Sequence, residues 1–392
     1  PAGARGSSMR SPGTSGAAFV MLRPAPVPEL PPGCDPESIL LTFRVAREHA
    51  GMRLDRFLQT RIPRISRTRA NAIVRNCAYR ADGTRRRASD RVRAGEVVLI
   101  VRPPMNEPPT PQHFGVLYED DDVLAVDKPA GLPMHPTATY HKHTLSWLLA
   151  ARYGASAPQF AHRLDRETSG VVVCGKHGKA EVALKLAFER RQVKKVYLAI
   201  VRGAFEDARR VVDLPLGPKG EGLHLLMSVR EDGARAVTHV ERLAVREGAS
   251  LLRLSPESGR QHQLRVHLAA LGTPIIGDKL YGPEGPAPFL AVIDEGPSDA
   301  LLASLGHGRQ ALHAHRLTLP HPRTGEPLTL ESPLATDLEE LWASPGAALR
   351  GHPVRGWDVL YGAQAASTPS SDPHQDTGWP DPATADARES EA

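Results

Sequence analysis

Apolar residues recur along this chain in two rhythms, and their order outlines its folded parts. Leu54, Phe57, Leu58 and Ile62 return at helical spacing, and Ser66 stands where a cap opens a second helix through Ala70, Ile73 and Val74. Glu96 to Val101 then reads as a strand, so residues 53–102 are expected to form a compact module of two helices followed by short strands. Pro103 to Pro111 carries five prolines in nine residues, which removes backbone donors and keeps the chain extended. A linker and domain boundary are expected there.

Beyond it, Val116 to Tyr118 and Val123 to Val126 flank the acidic turn Glu119 to Asp122, and Leu145 to Tyr153 has helical spacing. Val171 to Cys174, Val196 to Val201, Val237 to Leu243 and Leu251 to Leu254 read as strands, and Ala180 to Arg190 and Gln261 to Leu271 as helices. Two further strands are expected within 311–330, around the turn Pro322 to Gly325, and a closing helix at Leu338 to Trp342. Strands outnumber helices without regular alternation, which predicts an α+β fold with a mixed, largely antiparallel sheet flanked by helices, plus a small N-terminal α/β module. No internal repeat of fixed period is visible.

The expected division is a disordered lead-in at 1–40, the module at 41–103, the linker at 104–112, the main domain at 113–344 and an acidic disordered tail at 345–392. The lead-in and the tail are rich in Pro, Ala, Ser and Gly and too poor in apolar residues to fold alone.

Composition adds limits. At 392 residues the chain has room for two folded units with tails, and 41% hydrophobic with 24% charged residues is ordinary for a soluble protein. No stretch nears the roughly 18 apolar residues of a membrane span, and the run Ala17 to Leu22 is shorter than a signal-peptide core. Cys34, Cys77 and Cys174 are odd in number and far apart, which argues against a disulfide framework or zinc ribbon and for a reducing cytoplasm.

The net charge of +5 is unevenly spread. Residues 53–102 hold fourteen Arg and no Lys against four acids, a net of +10, whereas residues 361–392 hold one Arg against six acids, a net of −5. An Arg-dense face suits a phosphate backbone because each contact releases condensed counterions, although charge alone fits a solvated surface equally well. The string Arg53-Leu54-Asp55-Arg56-Phe57-Leu58, then Ser66-Arg67, a turn near Asp82-Gly83 and Gly95-Glu96 resembles the alpha-L RNA-binding module. Arg80-Ala81-Asp82-Gly83 departs from that module's usual Val-Asn-Gly turn. The resemblance implies that Arg53, Arg56, Ser66, Arg67 and Arg69 contact RNA.

His162-Arg163-Leu164-Asp165-Arg166-Glu167-Thr168-Ser169-Gly170 precedes the apolar strand Val171 to Cys174. Taken alone it is an ion-paired loop leading into a buried strand. As a string it resembles the His-Arg-Leu-Asp-x-x-Thr-Ser-Gly signature of RluA-type pseudouridine synthases. Asp127-Lys128-Pro129-Ala130-Gly131-Leu132, Lys194-Lys195-Val196-Tyr197-Leu198-Ala199 and Gly259-Arg260-Gln261-His262-Gln263-Leu264-Arg265-Val266-His267 resemble further motifs of that family, in its order. Ser258 and Gln261 stand where Thr, and Thr or Ser, are commoner. The resemblance runs from Arg53 to about Leu334.

What the resemblance implies is isomerisation of selected uridines in structured RNA without metal or cofactor. Asp165 is the implied catalytic carboxylate, able to bond or stabilise a cationic sugar as the glycosidic bond breaks. Arg265 is its implied ion-pair partner, on a helix with Leu264, Leu268 and Leu271 as the buried stripe and Gln261 one turn earlier on the same face. Tyr197 is the implied active-site tyrosine, and Arg163 the residue that fills the gap left by a flipped uridine. Lys128, Arg166, Lys194, Lys195, Arg260 and His262 are expected around the RNA.

Two other readings remain. Histidines at 135, 141, 143, 262, 267, 313 and 315 invite a metal site, but His262 and His267 lack the i, i+4 spacing of helical zinc motifs and no metal is expected. A catalytically silent RNA-binding or ribosome-assembly factor is the alternative class, against which the joint presence of Asp165, Tyr197 and Arg265 argues. The added module favours ribosomal RNA over transfer RNA as partner, and nothing in the sequence calls for an obligate protein partner.

Overall fold

The two rhythms close one apolar core in the N-terminal module and several apolar clusters in the main domain. The computed structural model describes residues 18–21 and 30–361, apart from residues 63–64, 81, 105–106, 138, 221–222, 224 and 354. The first elements are strands β1 (Ala18–Met21) and β2 (Ile39–Arg44), helices α1 (Leu54–Arg61) and α2 (Arg67–Cys77), and strands β3 (Ala78–Tyr79) and β4 (Val97–Arg102). Leu54, Phe57 and Leu58 of α1 and Ile73 and Val74 of α2 pack on Val98 and Ile100 of β4. The Ser66 hydroxyl caps α2 by accepting from the Arg69 amide at 3.1 Å.

The module therefore has the two expected helices, but its sheet has three antiparallel strands in the order β2-β4-β3. Strand β2 precedes the helices and lies partly inside the segment expected to be disordered. That lead-in expectation is corrected twice, because β1 also adds antiparallel to the edge of the main sheet. Its pairing partner is some 90 residues away in sequence, so no local pattern announces it. For residues 1–17 and 22–29 the expectation lies outside the described residues.

The main domain continues with strands β5 (His113–Glu119) and β6 (Val123–Lys128), helix α3 (Leu145–Tyr153), strands β7 (Gln159–Phe160) and β8 (Ser169–Gly175), helix α4 (Gly178–Glu189) and strands β9 (Lys194–Arg202), β10 (Arg209–Asp213), β11 (Leu216–Pro218), β12 (Met227–Val229), β13 (Val237–Arg246) and β14 (Ala249–Pro256). Helices α5 (Gln263–Ala270), α6 (Ala287–Asp294) and α7 (Asp299–Leu305), strands β15 (Leu312–Pro320) and β16 (Pro327–Glu331), and helices α8 (Thr336–Ala343), α9 (Pro345–Leu349) and α10 (Asp358–Tyr361) follow. The large sheet runs β1-β5-β6-β8-β15-β9-β14-β13-β10, with β16 on β15 and β7 on β8. Its pairings are antiparallel except β8 with β15. This is the α+β fold with a mixed, largely antiparallel sheet that the strand pattern implied.

The parallel pair positions the signature loop. Gly170 sits at φ +109°, and a side chain there would collide with the Ala314 carbonyl of β15, so glycine is required where the loop enters β8.

Two boundaries differ from expectation. The proline-rich segment is extended, but it is docked: the Glu107 carboxylate accepts the backbone N–H groups of His141, Lys142 and His143 at 2.7 to 2.9 Å. The chain past Ser344 does not become tail at once. Pro345, Gly346 and Ala348 of α9 are buried, Leu360 has no exposed surface, and its carbonyl lies where a Gly131 side chain would stand. These few apolar residues fold only because the main domain supplies the other side of the core, which composition does not reveal. The acidic residues 362–392 lie outside the described residues.

Candidate active site

The signature string forms the loop before β8, and buried groups hold it from three sides. His162 accepts the Val173 amide at 3.1 Å and stacks on Phe188 with ring centroids 4.7 Å apart, and burial lowers its imidazole to about 3. Arg309, fully buried, donates to the Glu167 carbonyl and the Ser169 hydroxyl and is itself forked by Asp337 at 2.6 and 2.9 Å. Glu167 accepts both contacts from Lys279 at 2.9 Å, and Gln310 donates to Thr168 at 2.7 Å.

Lys128 closes the third side, and this corrects its expected role at RNA phosphates. It has 0% exposure, and its ammonium donates to the carbonyls of Pro129, Leu132 and Arg166 at 2.8 to 3.0 Å. Burial first, then Arg309, lowers it to about 7. Three carbonyls take all three ammonium donors, so Lys128 is a strut tying the end of β6 to the signature loop.

So held, Asp165 faces a cleft of about 700 Å³. Its side chain keeps 30% exposure, and the Arg265 Nη1 donates to Oδ2 at 3.0 Å. Burial pushes the Asp165 carboxyl up, but Arg265 outweighs it and leaves the group below its usual value. Asp165 is an ionised carboxylate at neutral pH and lines the cleft together with Arg265 and His262.

Arg265 comes from α5, whose Leu264 and Leu268 are buried as the apolar stripe required, while Leu271 is only partly covered. Gln261 does not share that helical face, because α5 begins only at Gln263, after His262 takes a left-handed conformation at φ 54°. That turn puts the His262 Nε2 3.9 Å from Asp165. Burial and then Arg265 lower the imidazole to about 4, so it is neutral.

Tyr197 lies on β9 between Ala314 of β15 and Leu254 of β14. Burial, with Asp165 adding to it, raises its phenol well above the ordinary value. It therefore stays protonated at neutral pH, and it packs against the apolar clusters rather than among the residues that line the cleft.

Arg163 is exposed at the wall of the cleft, and Arg166 beside it donates to the Tyr140 hydroxyl at 2.6 Å and to Glu167 at 3.2 Å. Lys194 and Arg260 are exposed, whereas the Lys195 ammonium donates to the Ser258 carbonyl and burial lowers it to about 8. In the module Arg56 and Arg67 are exposed, Arg69 is partly covered, and Arg53 forks the buried Asp55 at 2.8 and 3.1 Å.

The loop Gly277–Gly282, which none of the sequence motifs marks, completes the surroundings of Asp165. Asp278 forks the back of Arg265 at 2.7 and 2.8 Å, and the Tyr281 hydroxyl pairs with the His262 Nδ1 at 2.7 Å. The available signal was an Asp and a Tyr between two glycines just after an apolar stretch, Pro274 to Ile276. Among the described residues, the one grouping of three possible metal ligands, Asp120, Asp122 and His321, sits at the far end of β6 from Lys128. Tyr118, His177 and Arg323 already occupy its carboxylates.

The profile for RNA pseudouridylate synthase matches residues 122–270, from the start of β6 to the end of α5. Ribosomal large subunit pseudouridine synthase D of Xanthomonas campestris is 38% identical over 303 residues, 75% of this chain and 89% of that protein. The protein of that name from Nitrosomonas europaea is 35% identical over 306 residues, 74% of this chain and 84% of its own. Among solved structures, human RNA pseudouridylate synthase domain containing 1 is 26% identical, with a TM-score of 0.47, and covers 68% of this chain and 100% of that one.

Proposed function

The chain belongs to the RNA pseudouridylate synthase family, and on that premise we propose that it modifies uridines of large-subunit ribosomal RNA in the cytoplasm, with Asp165 as the carboxylate that meets the ribose. The observation that carries the residue assignment is the Asp165 carboxylate, ionised by Arg265 at 3.0 Å and open to the cleft.

The reaction breaks the bond between uracil N1 and ribose C1′ and makes one between C5 and C1′. As N1 departs with the bonding electrons, positive charge grows at C1′, where Asp165 bonds or stabilises it. The freed base turns, C5 attacks C1′, the carboxylate is released, C5 loses its proton and N1 gains one. No redox change occurs. Tyr197, a neutral phenol, stacks or donates beside the base, and Arg265 keeps Asp165 ionised in the cleft.

A uridine in a folded helix presents no open path to C1′, so the nucleotide leaves its stack, and Arg163 on the cleft wall fills the gap. Arg166 and His262 line the cleft, and the exposed Lys194 and Arg260, with Arg56, Arg67 and Arg69 of the module, are read as phosphate contacts farther out. Arg53 contributes to the module's fold through Asp55 as well as to its charge.

Ribosomal RNA is favoured by the relatives' names and by the Arg-dense module, which suits a large structured target. Unmodified large-subunit RNA and total transfer RNA, each incubated with the protein, are expected to differ. Carbodiimide-dependent primer-extension stops should arise at a few uridines of the ribosomal RNA. Stops in transfer RNA alone would contradict the assignment.

A further inference from the structure

We propose that Asp278 is a positioning residue for the reaction, holding the Arg265 guanidinium at the angle that keeps one N–H on the Asp165 carboxylate. The inference rests on Asp165 as the reacting carboxylate, and it assigns the element that aims Asp165's partner.

Arg265 reaches Asp165 through Nη1 alone, and a single hydrogen bond leaves a guanidinium free to swivel. The opposite edge is fixed: Nε donates to Asp278 Oδ2 at 2.7 Å and Nη2 to Oδ1 at 2.8 Å, the two-pronged contact that sets a guanidinium plane. Asp278 is itself immobilised, with 1% exposure, and its Oδ1 also accepts the Leu280 and Tyr281 amides at 2.9 and 3.1 Å. The Tyr281 ring lies 5.0 Å from the guanidinium carbon, and its hydroxyl accepts the Met227 amide at 2.9 Å and pairs with His262. One short loop therefore sets both groups that flank Asp165 from α5 and its approach.

Asp278 also divides the cation. Arg265 stands between two carboxylates, with two hydrogen bonds to Asp278 and one to Asp165. Facing Asp165 are His262 and Arg265 from around α5, Tyr197 from β9, Lys128 from β6, Arg166 and Glu167 from its own loop, Gln310 ahead of β15, and Tyr281 beside Asp278. None but Arg265 touches both Asp165 and Asp278.

The experiment compares wild type, Asp278→Asn and Asp278→Glu in tritium release from RNA labelled at uridine C5, across pH, with thermal unfolding of each. Asp278→Asn is expected to lose about 100-fold in kcat, the scale of a misplaced active-site group, with KM little changed and the acid limb of the rate moved to higher pH. With its aim loosened, Arg265 loses its hydrogen bond to Asp165, a loss larger than the like charge removed with Asp278, and burial then raises the Asp165 carboxyl. Asp278→Glu keeps the charge but not the fork geometry, and its kcat should fall between the other two.

Wild-type kcat and acid limb in folded Asp278→Asn would overturn the proposal. So would a parallel fall in kcat, RNA affinity and melting temperature with the acid limb unmoved, the mark of a purely structural role. Should Asp278→Asn not fold, a wild-type profile for Asp278→Glu overturns it. Carbon-13 titration of the Asp165 carboxyl in the RNA-free protein needs no turnover. An upward move in Asp278→Asn, or in Asp278→Glu should Asn not fold, supports positioning even if wild type releases no tritium from the RNA supplied, a result that counts against the substrate reading alone.

Discussion

Lys128 has no exposed surface and no carboxylate in hydrogen-bond contact, and its three donors end on three carbonyls. Lys128→Met keeps the stem and strips those carbonyls of their partner. Stability should fall by about 3 kcal/mol, read by urea unfolding, because buried acceptors left unpaired bear most of their desolvation cost. An unchanged midpoint would mean that the loop needs no strut. Arg163→Ala has the opposite profile: the exposed side chain carries no fold, so stability should hold while kcat on structured RNA falls, and a parallel loss of stability would contradict the gap-filling role. At this scale the string of the signature loop was legible because chemistry fixes residue types in sequence order. The strut role of Lys128 is not legible, because sequence shows its charge but not its burial. The role of Asp278 is not legible either, because its partner Arg265 is 13 residues away across a turn and no local periodicity links them.

Elements inherit those constraints. Glu107 ties the proline-rich segment to the loop before α3, and both line the cleft. Glu107→Ala should leave the fold intact and raise KM more than it lowers kcat, since it frees a wall of the cleft and not the reacting carboxylate. A reverse split in steady-state kinetics would contradict this. Removal of residues 1–103 takes away the Arg-dense module but spares Glu107. RNA binding should weaken, and log affinity should depend less steeply on log salt, because fewer counterions are released. An unchanged slope in a filter-binding titration would show that the module is not a main contact surface. Helices α1 to α3 and the long strands were legible from 3.6- and 2-residue periodicity. Strand β1, strand β2 and helices α9 and α10 were not, because each is short and made by a partner far along the chain.

Across the molecule, several histidines are buried neutral. Burial lowers His162 to about 3 and His262 and His313 to about 4. In the unfolded chain each takes a proton near pH 6.5, so between there and about pH 4 the unfolded state binds more protons and stability falls as pH falls. The slope could reach about 4 kcal/mol per pH unit if all three respond, and urea unfolding at pH 7, 6 and 5 reads it. Flat stability over that range would contradict neutral burial. Charge is divided in the same large-scale way, with +10 in residues 53–102 and −5 in residues 361–392. On the proposed reading, this fold holds Asp165 ionised at the cleft so that it can move a ribose from N1 to C5 of uracil. Tritium release from RNA labelled at uridine C5, comparing the full chain with Asp165→Asn, tests it most directly. Release by the full chain and none by the variant, at equal RNA affinity, is the expected result; release by both would contradict it.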